Sequence, residues 1–198
     1  MLPLMPETAT RDTRTAIMDL AEGLMLDRGY CAFSYSDVSS ALGIRNAAVH
    51  YHFPTKGDLG VAVVHRARER FLQWAGRLET SGAGPVERLD AFFQRYLRHL
   101  ERGRVCLGGS LETDFATLPE PVQAEARAFV TTVLSWWEGL LDDGRSRGAF
   151  AFPGDARDQA IVVMSALQGA LQTSRATETP CLAAAMEQIR RLMLTQRT

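Results

Sequence analysis

Apolar side chains recur three and four positions apart through most of this 198-residue chain, which is the spacing of one helix face. In the first such segment Ile17, Leu20, Leu24 and Met25 share a face, and Gly29 follows them as a helix stop. No segment shows the alternation typical of a half-buried strand. The sequence therefore predicts an all-α protein with about nine helices.

Capping signals set the starts of the early helices. Ser34 followed by Asp37, and Thr55 followed by Asp58, both fit the capping box, in which two side chains satisfy each other's backbone N–H groups. A second helix is therefore expected near residue 35, and a long fourth helix from about residue 56 to residue 78. A short third helix, from about residue 46 to residue 52, lies between them and ends before Pro54.

Later helices are expected to begin at Pro85, in a short segment within 105–117, after "LPEP" at 118–121, at a cap on Asp155, and at Pro180. The last of them is expected to reach the end of the chain. The break "TSGAGP" at 80–85 follows the fourth helix. The expected organisation is an N-terminal domain over residues 10–58 and a C-terminal helical domain over residues 59–198.

Composition restricts the possible partners and the compartment. The formal net charge is −1, so a nucleic-acid site must be local and geometric, because no overall basic field attracts a polyanion. Three widely spaced cysteines do not form a disulfide framework, which favours a reducing cytoplasm. No apolar run approaches the roughly 18 residues of a membrane span, and the amino terminus lacks the pattern of a secretory signal.

Two short helices joined at a glycine suggest a helix-turn-helix between residues 35 and 52. Ser39 is the small residue where the helices cross, and Gly43 is the turn residue that tolerates positive φ. The apolar anchors on either side are Val38, Leu42, Ile44 and Val49.

The helix after the turn would enter the DNA major groove by its amino-terminal end. Arg45 and Asn46 are placed there, and these side chains can pair bidentately with guanine and adenine. Ala47 and Ala48 offer methyl contacts, as to thymine.

Hydrogen-bond donors suited to phosphate surround this reading helix. His50 and Tyr51 lie along it, and Lys56, the only lysine in the chain, follows it at the start of the fourth helix. Tyr35 and Ser36 are expected to hold the backbone on the other side of the groove.

At these residues the chain resembles the tetracycline-repressor (TetR) family of transcriptional regulators. The family pattern has Thr or Ser at the second helix start, a Gly-Val turn, then Leu-Tyr-x-His-Phe-x-x-Lys; this chain reads "YSDVSSALGI" and then "VHYHFPTK". The match covers about residues 12–60 and includes His52, Phe53 and Lys56. Two positions depart from it: His50 stands at the usual tyrosine, and Arg45 at the serine that usually follows the turn.

The resemblance implies a homodimer that binds a DNA operator, expected to be palindromic, and a C-terminal domain that binds a small-molecule inducer. It also implies dimerisation through helices eight and nine, with ordinary packing within one chain as the open alternative. The small and apolar positions of these helices are Ala160, Val163, Met164, Leu167, Ala170, Leu171, Ala183, Met186, Ile189 and Met193.

Aromatic residues recur on helical faces of the C-terminal part, where they form core or line an apolar ligand cavity. The predicted cavity residues, mostly on helices five, seven and eight, are Phe92, Tyr96, His99, Cys106, Phe129, Val133, Trp136, Met164 and Gln168. Cys106 is either a buried free cysteine or, with a stabilised thiolate, a sensor of electrophiles or oxidants.

Several alternatives stay open. His52 either serves the DNA-binding region or packs against helices one and four, and Asn46 either reads a base or only caps its helix. "HYH" does not suggest a metal site, because positions i and i+2 diverge on a helix, and no cofactor is expected. A helical enzyme, or a small-molecule-binding protein without a DNA role, is the alternative function. We expect no enzyme, because the sequence shows no nucleophile–base–orienter set.

Overall fold

The structure, a computed structural model, describes residues 7–194, with side chains from residue 13 onward. Within this range the chain is all-α, as predicted, apart from a single-turn 3₁₀ segment over Phe115–Thr117 and an isolated bridge between Phe150 and Leu194. The helices are α1 (Glu7–Arg28), α2 (Tyr35–Leu42), α3 (Asn46–His52), α4 (Lys56–Thr80), α5 (Pro85–Glu101), α6 (Leu107–Thr113), α7 (Glu120–Ser146), α8 (Ala156–Thr177) and α9 (Cys181–Met193).

Both predicted capping boxes are confirmed. The Ser34 hydroxyl accepts a hydrogen bond from the Asp37 backbone N–H at 3.3 Å, and the Asp37 carboxylate accepts one from the Ser34 backbone at 2.7 Å. Thr55 and Asp58 repeat the arrangement at 3.1 and 2.9 Å. Each box satisfies N–H groups that the first helical turn leaves free, which fixes the starts of α2 and α4.

Three expectations about helix ends need correction. Helix α7 already includes Pro121 in its first turn, where the missing N–H of proline costs nothing. Asp155 occupies the N-cap position of α8, but its side chain makes no capping hydrogen bond. The cap residue of α3 is Arg45, so Asn46 is the first helical residue and not the cap. A fourth expectation, that α9 reaches the end of the chain, is wrong as well, because the helix ends at Met193 and Leu194 is extended and bridged to Phe150.

Two apolar cores lie along α4 and α7. The first core combines α1, α2 and α3 with Leu59 and Val63 of α4 and with Val122 of α7. The second contains Phe71 of α4 and Trp137 of α7 together with α5, α8 and α9. Because α4 and α7 take part in both cores, packing is continuous across residue 58, and the division into 10–58 and 59–198 stays a prediction.

None of the helices in the described part of the chain combines the length and the apolar character that a membrane span requires.

Candidate DNA-binding surface and ligand cavity

The helix-turn-helix holds α3 against α2 through a small buried contact. Val38 and Val49 are fully buried, and Ser39 is 7% exposed, with its hydroxyl donating to the Ser36 carbonyl oxygen at 3.2 Å. Gly43 ends α2 with φ of 64°, a left-handed conformation that favours glycine. The backbone N–H of Ile44 then donates to the Ser39 carbonyl at 3.0 Å, which fixes the turn between the two helices.

The outer face of α3 is free of other elements of the chain. Arg45, Asn46, Ala47 and His50 are exposed, Ala48 is half-buried, and Tyr51 is 79% exposed. Because the Tyr51 side chain is so exposed, its hydroxyl is accessible to a binding partner. The residues expected to read bases and most of those expected to grip phosphate therefore share one accessible surface.

Tyr35 is a correction to the predicted phosphate donors. Its side chain is buried, and its hydroxyl donates to the Phe53 carbonyl oxygen at 2.7 Å. Burial, with smaller effects of the Asp58 and Tyr30 charges, raises the pKa of Tyr35 to about 12. The only proton of this hydroxyl is used inside the protein, where it ties the start of α2 to the end of α3. Ser36 beside it is exposed.

Lys56 also has an internal partner that the sequence did not predict. Its ammonium lies 4.6 Å from the Tyr30 ring centroid, 4.5 Å from that of Phe33, and 3.5 Å from the Cys31 carbonyl oxygen. Partial burial lowers the pKa of Lys56, an effect that nearby negative groups partly oppose. The side chain braces α4 against the α1–α2 turn, so its contact with phosphate stays a prediction.

The two histidines of α3 differ in environment. His50 is exposed, and its Nδ1 lies 3.1 Å from the Pro54 carbonyl oxygen. His52 is half-buried, and burial together with the nearby charge of Arg14 lowers its pKa. His52 is therefore partly packed, while Nε2 of His50 remains available to solvent.

A cavity of about 470 Å³ lies in the C-terminal part, within the size range of small-molecule sites. Helices α4, α5, α6, α7 and α8 contribute its walls, together with Glu22 and Leu26 of α1. Every predicted cavity residue except Trp136 lines it: Phe92, Tyr96, His99, Cys106, Phe129, Val133, Met164 and Gln168.

Trp136 is the exception and lies behind the wall. Its ring stacks on Phe92 with centroids 5.3 Å apart and an interplanar angle of 19°, and it meets Phe71 edge-on at 5.8 Å. Trp137, its neighbour in sequence, is fully buried. Trp136 therefore supports the aromatic wall through its ring contacts with Phe92 and Phe71.

The sequence prediction missed the contributions of α1 and α4 and all five charged side chains of the wall, which are Glu22, Arg70, Arg77, Arg95 and Glu112. Phe71 and Trp74 line the cavity from α4, and Arg70 and Arg95 lie beside them. Arg95 could have been predicted from its spacing. It lies three residues after Phe92 and four before His99, so all three side chains are on the same side of α5. Phe71 and Trp74 are also three residues apart, so they share one face of α4.

Cys106 lines the cavity as a buried thiol. Its sulfur accepts a hydrogen bond from the Gly109 backbone N–H at 3.3 Å, and the Tyr96 hydroxyl lies 3.6 Å away. Burial raises the pKa of this thiol, and the two hydrogen bonds only partly oppose that effect. The thiolate that a sensor needs is therefore disfavoured in this environment.

His99 is a neutral ring in the cavity wall at physiological pH. Burial, followed by the charges of four nearby arginines, lowers its pKa to about 4. The arginines, in decreasing order of effect, are Arg95, Arg102, Arg98 and Arg104. A partner that approaches His99 therefore meets an uncharged imidazole in a positive surrounding.

This shift predicts a loss of stability on acidification. Between pH 6.5 and about 4 the unfolded chain binds a proton at His99 that the folded protein excludes, so the free energy of unfolding falls as the pH drops through this window. We expect His99→Gln to reduce that fall by about 1–3 kcal/mol, since one pKa unit corresponds to about 1.4 kcal/mol. Urea unfolding at pH 7 and pH 4.5 measures the effect. His65→Gln, at an exposed imidazole, is the control, and an equal effect there would contradict the assignment.

The residues exposed on α8 and α9 are not the ones that the sequence predicted for a dimer interface. Ala160, Val163, Leu167, Met186 and Met193 are buried in the core of their own chain. The apolar side chains that remain exposed are Ile161 at 45%, Val162 at 59% and Leu192 at 66%. Small residues accompany them on the exposed surface: Ser165, Gly169, Ala183 and Ala184.

Comparisons with known proteins find a matching family for each of two parts of the chain. Residues 17–63 match the family described as bacterial regulatory proteins, tetR family. Residues 85–193 match the family described as tetracyclin repressor-like, C-terminal domain.

One similar protein is the transcriptional repressor NemR of Escherichia coli K12, which is 25% identical over 163 residues, or 80% of this chain and 82% of NemR. A TetR-family transcriptional regulator from Agrobacterium tumefaciens, known from its crystal structure, has a TM-score of 0.89 and 28% identity over 94% of this chain and 100% of its own. A TetR regulator from Legionella pneumophila has a TM-score of 0.79 and 27% identity, with coverages of 96% and 98%.

Proposed function

The chain belongs to the TetR family of bacterial regulatory proteins, DNA-binding regulators that respond to a ligand, and we propose that this one is a homodimeric repressor that a small hydrophobic or aromatic inducer releases from its operator. The observation that carries the proposal is an exposed α3 face and an aromatic cavity, joined by one hydrogen-bonded segment of chain. That segment is residues 104–114.

The DNA surface has three kinds of contact. Arg45 and Asn46 read base edges, and Ala47 and Ala48 contact methyl groups. Ser36 and Tyr51 donate to phosphate oxygens, which position the helix without reading sequence. His50 adds a donor when its imidazole is protonated, because its Nδ1–H already donates to the Pro54 carbonyl oxygen. Their exposure on one face supports this arrangement. His52 and Lys56 flank the surface and hold its shape.

The dimer forms through the outward faces of α8 and α9. Ile161, Val162 and Leu192 supply apolar surface, and the small residues near them allow close helix approach. A dimer is needed physically, because one half-site offers few base contacts. Two copies of α3 about 34–36 Å apart would fit successive major grooves on one face of DNA.

The segment 104–114 touches both the cavity and α1. Leu107, Gly108 and Glu112 line the cavity. The Ser110 hydroxyl donates to the Met25 carbonyl oxygen at 2.8 Å, and Arg104 pairs with Asp27 at 2.7 Å. A ligand that displaces α6 therefore also moves the end of α1.

Beyond α6, the same segment reaches the α1–α2 turn. The Asp114 carboxylate accepts from the Cys31 backbone N–H at 3.1 Å. These bonds give the inducer a physical route to the spacing of the reading helices. A coupling of about 1–3 kcal/mol between the two sites is typical of such regulators.

Ser110→Ala tests this route. We expect the variant to bind the operator nearly as the unchanged protein does, but the fall in affinity on adding inducer should shrink severalfold, because one link between cavity and α1 is lost. Thr113→Ala is the matched control, since its hydroxyl bonds only to Gly109 within α6. Fluorescence anisotropy with labelled operator, with and without inducer, measures both; an unchanged response in Ser110→Ala would exclude this route.

Selection from a random duplex library with the full-length protein tests the function itself. We expect the enriched sequences to contain an inverted repeat bound by two chains, with affinity that falls steeply as salt rises. Enrichment of no sequence, or binding equal to that of random DNA, would favour a small-molecule-binding protein without a DNA role.

A further inference from the structure

Arg95 is a half-buried arginine of the cavity wall that lacks an acidic partner; Arg77 of the same wall also forms no ion pair with the described residues, but it is exposed. Arg66 and Arg70 share the Glu22 carboxylate, Arg104 pairs with Asp27, and Arg88 and Arg190 pair with acidic residues of their own. Among the residues that the structure describes, no carboxylate lies within ion-pair distance of the Arg95 guanidinium, which lines the cavity.

The Arg95 guanidinium is instead held by stacking. Its central carbon lies 4.7 Å from the Trp74 ring centroid and 5.7 Å from that of Phe71. Its N–H donors have no hydrogen-bond partner among the described residues, so they are free to form the fork that matches a carboxylate. The aromatic wall thus orients a bidentate donor beside a cavity.

The charge of Arg95 is incompletely compensated in this position. Burial, followed by the charges of Arg98 and Arg70, lowers its pKa, yet an arginine stays protonated at any physiological pH. A partly buried cation without a counter-ion is costly, so an anion that enters the cavity gains more there than in water.

The other charged groups of the cavity wall offset this field only in part, and among them the carboxylate of Glu22 is the one acidic group that favours the charged form of Arg95. Glu22 is engaged by Arg66 and Arg70, whereas Glu112 and Arg77 are exposed side chains. His99 is neutral, in a positive surrounding.

Much of the remaining lining is aromatic or apolar. Phe71, Trp74 and Phe92 form one aromatic cluster, with Trp74 and Phe92 centroids 6.1 Å apart. Val133 and Met164 are apolar as well, and Gln168 adds one neutral polar group. A cavity of about 470 Å³ accommodates a ligand of two fused rings.

We propose that the inducer is a planar aromatic carboxylate, whose carboxylate pairs with the fork of Arg95 and whose rings pack on the aromatic wall. This inference rests on the proposed function, since it names the ligand class for the same cavity. His99 and Gln168 provide the neutral hydrogen-bonding groups that orient polar substituents on the rings.

Isothermal titration calorimetry with three probes of equal size tests the proposal. The probes are 2-naphthoate, the neutral 2-naphthylmethanol and the cationic 2-naphthylmethylammonium. We expect 2-naphthoate to bind at least about 10-fold more tightly than either of the others, because only the carboxylate gains charge-assisted hydrogen bonds.

Arg95→Met keeps an unbranched apolar side chain and removes the guanidinium N–H donors. It should weaken 2-naphthoate binding by about 10- to 100-fold and change 2-naphthylmethanol binding by less than about 3-fold. Arg95→Lys keeps the charge without the fork and should fall between. Arg98→Met is the control for loss of a nearby positive charge without loss of the fork; because Arg98 is exposed, this change should weaken 2-naphthoate binding by less than about 3-fold. Thermal melts establish that each variant is folded.

Three results would overturn the ligand class: equal affinities for the three probes, tighter binding of the cation, or no binding of 2-naphthoate. Operator binding measured with the same probes separates this proposal from the proposed function. If only the neutral probe releases the protein from DNA, the proposed repressor function stands and the proposed carboxylate ligand is wrong. If 2-naphthoate binds through Arg95 but does not change DNA binding, the proposed ligand class stands and the proposed inducible repressor is wrong.

Discussion

Replacing Asn46 with alanine is expected to lower the affinity of the dimer for its operator by about 2–6 kcal/mol. A bidentate contact with a base contributes about 1–3 kcal/mol, and a dimer loses it once in each half-site. Asn46 is exposed in the first turn of α3, and Arg45 occupies the N-cap position, so the amide is not needed to start the helix. The variant should therefore fold normally, and its loss of affinity should reflect base contacts.

The loss should be specific to sequence. Binding of Asn46→Ala to random DNA should match that of the unchanged protein, because phosphate contacts dominate non-specific affinity. Gln94→Ala removes a comparable exposed amide from α5 and should leave both affinities unchanged. Fluorescence anisotropy with operator and random duplexes gives the comparison. An equal loss on both DNAs would mean that Asn46 does not read a base.

Gly144→Ala is expected to lower the free energy of unfolding by about 1–3 kcal/mol, the usual cost of overpacking a core. A Cβ at this position of α7 would lie 2.7 Å from Cγ of Phe150 and closer still to two other ring carbons. Phe150 is 2% exposed, and its backbone N–H donates to the Gly144 carbonyl at 3.1 Å, so the ring has little room to move away.

Gly139 in the same helix gives the opposite expectation. A Cβ there meets nothing within 4 Å among the residues that the structure describes. Gly139→Ala should therefore stabilise the protein by about 0.5–1 kcal/mol through helix propensity. Thermal melts at one fixed protein concentration compare the two variants, because the stability of a dimer depends on concentration. Destabilisation by both changes to the same extent would contradict the role assigned to Phe150.

Local sequence signals were sufficient to predict the helix starts and the turn that form the candidate DNA-binding surface. The capping boxes at Ser34 and Thr55 involve partners only three residues away, and the turn at Gly43 depends on its own φ. The cavity residues of α5 were equally accessible to prediction, since Phe92, Tyr96 and His99 follow the spacing of a single helix face.

The errors, and the unpredicted internal contact of Lys56, concern side chains whose partners are distant in sequence. The Tyr35 hydroxyl is engaged by a carbonyl 18 residues away, and Lys56 by a carbonyl 25 residues away, and neither contact leaves a periodic signal. Trp136 is displaced from the cavity by its stacking on Phe92 of another helix. Arg95 was missed because what distinguishes it is the lack of an acidic partner, which only the packed structure reveals.

Hydroxyl-radical footprinting of the full-length protein on its selected operator tests the central claim most directly. If two chains place their α3 helices in successive major grooves, the footprint should show two protected stretches on one face of the duplex, about one helical turn of 10–10.5 base pairs apart. A single protected stretch, or two stretches on opposite faces, would contradict the account.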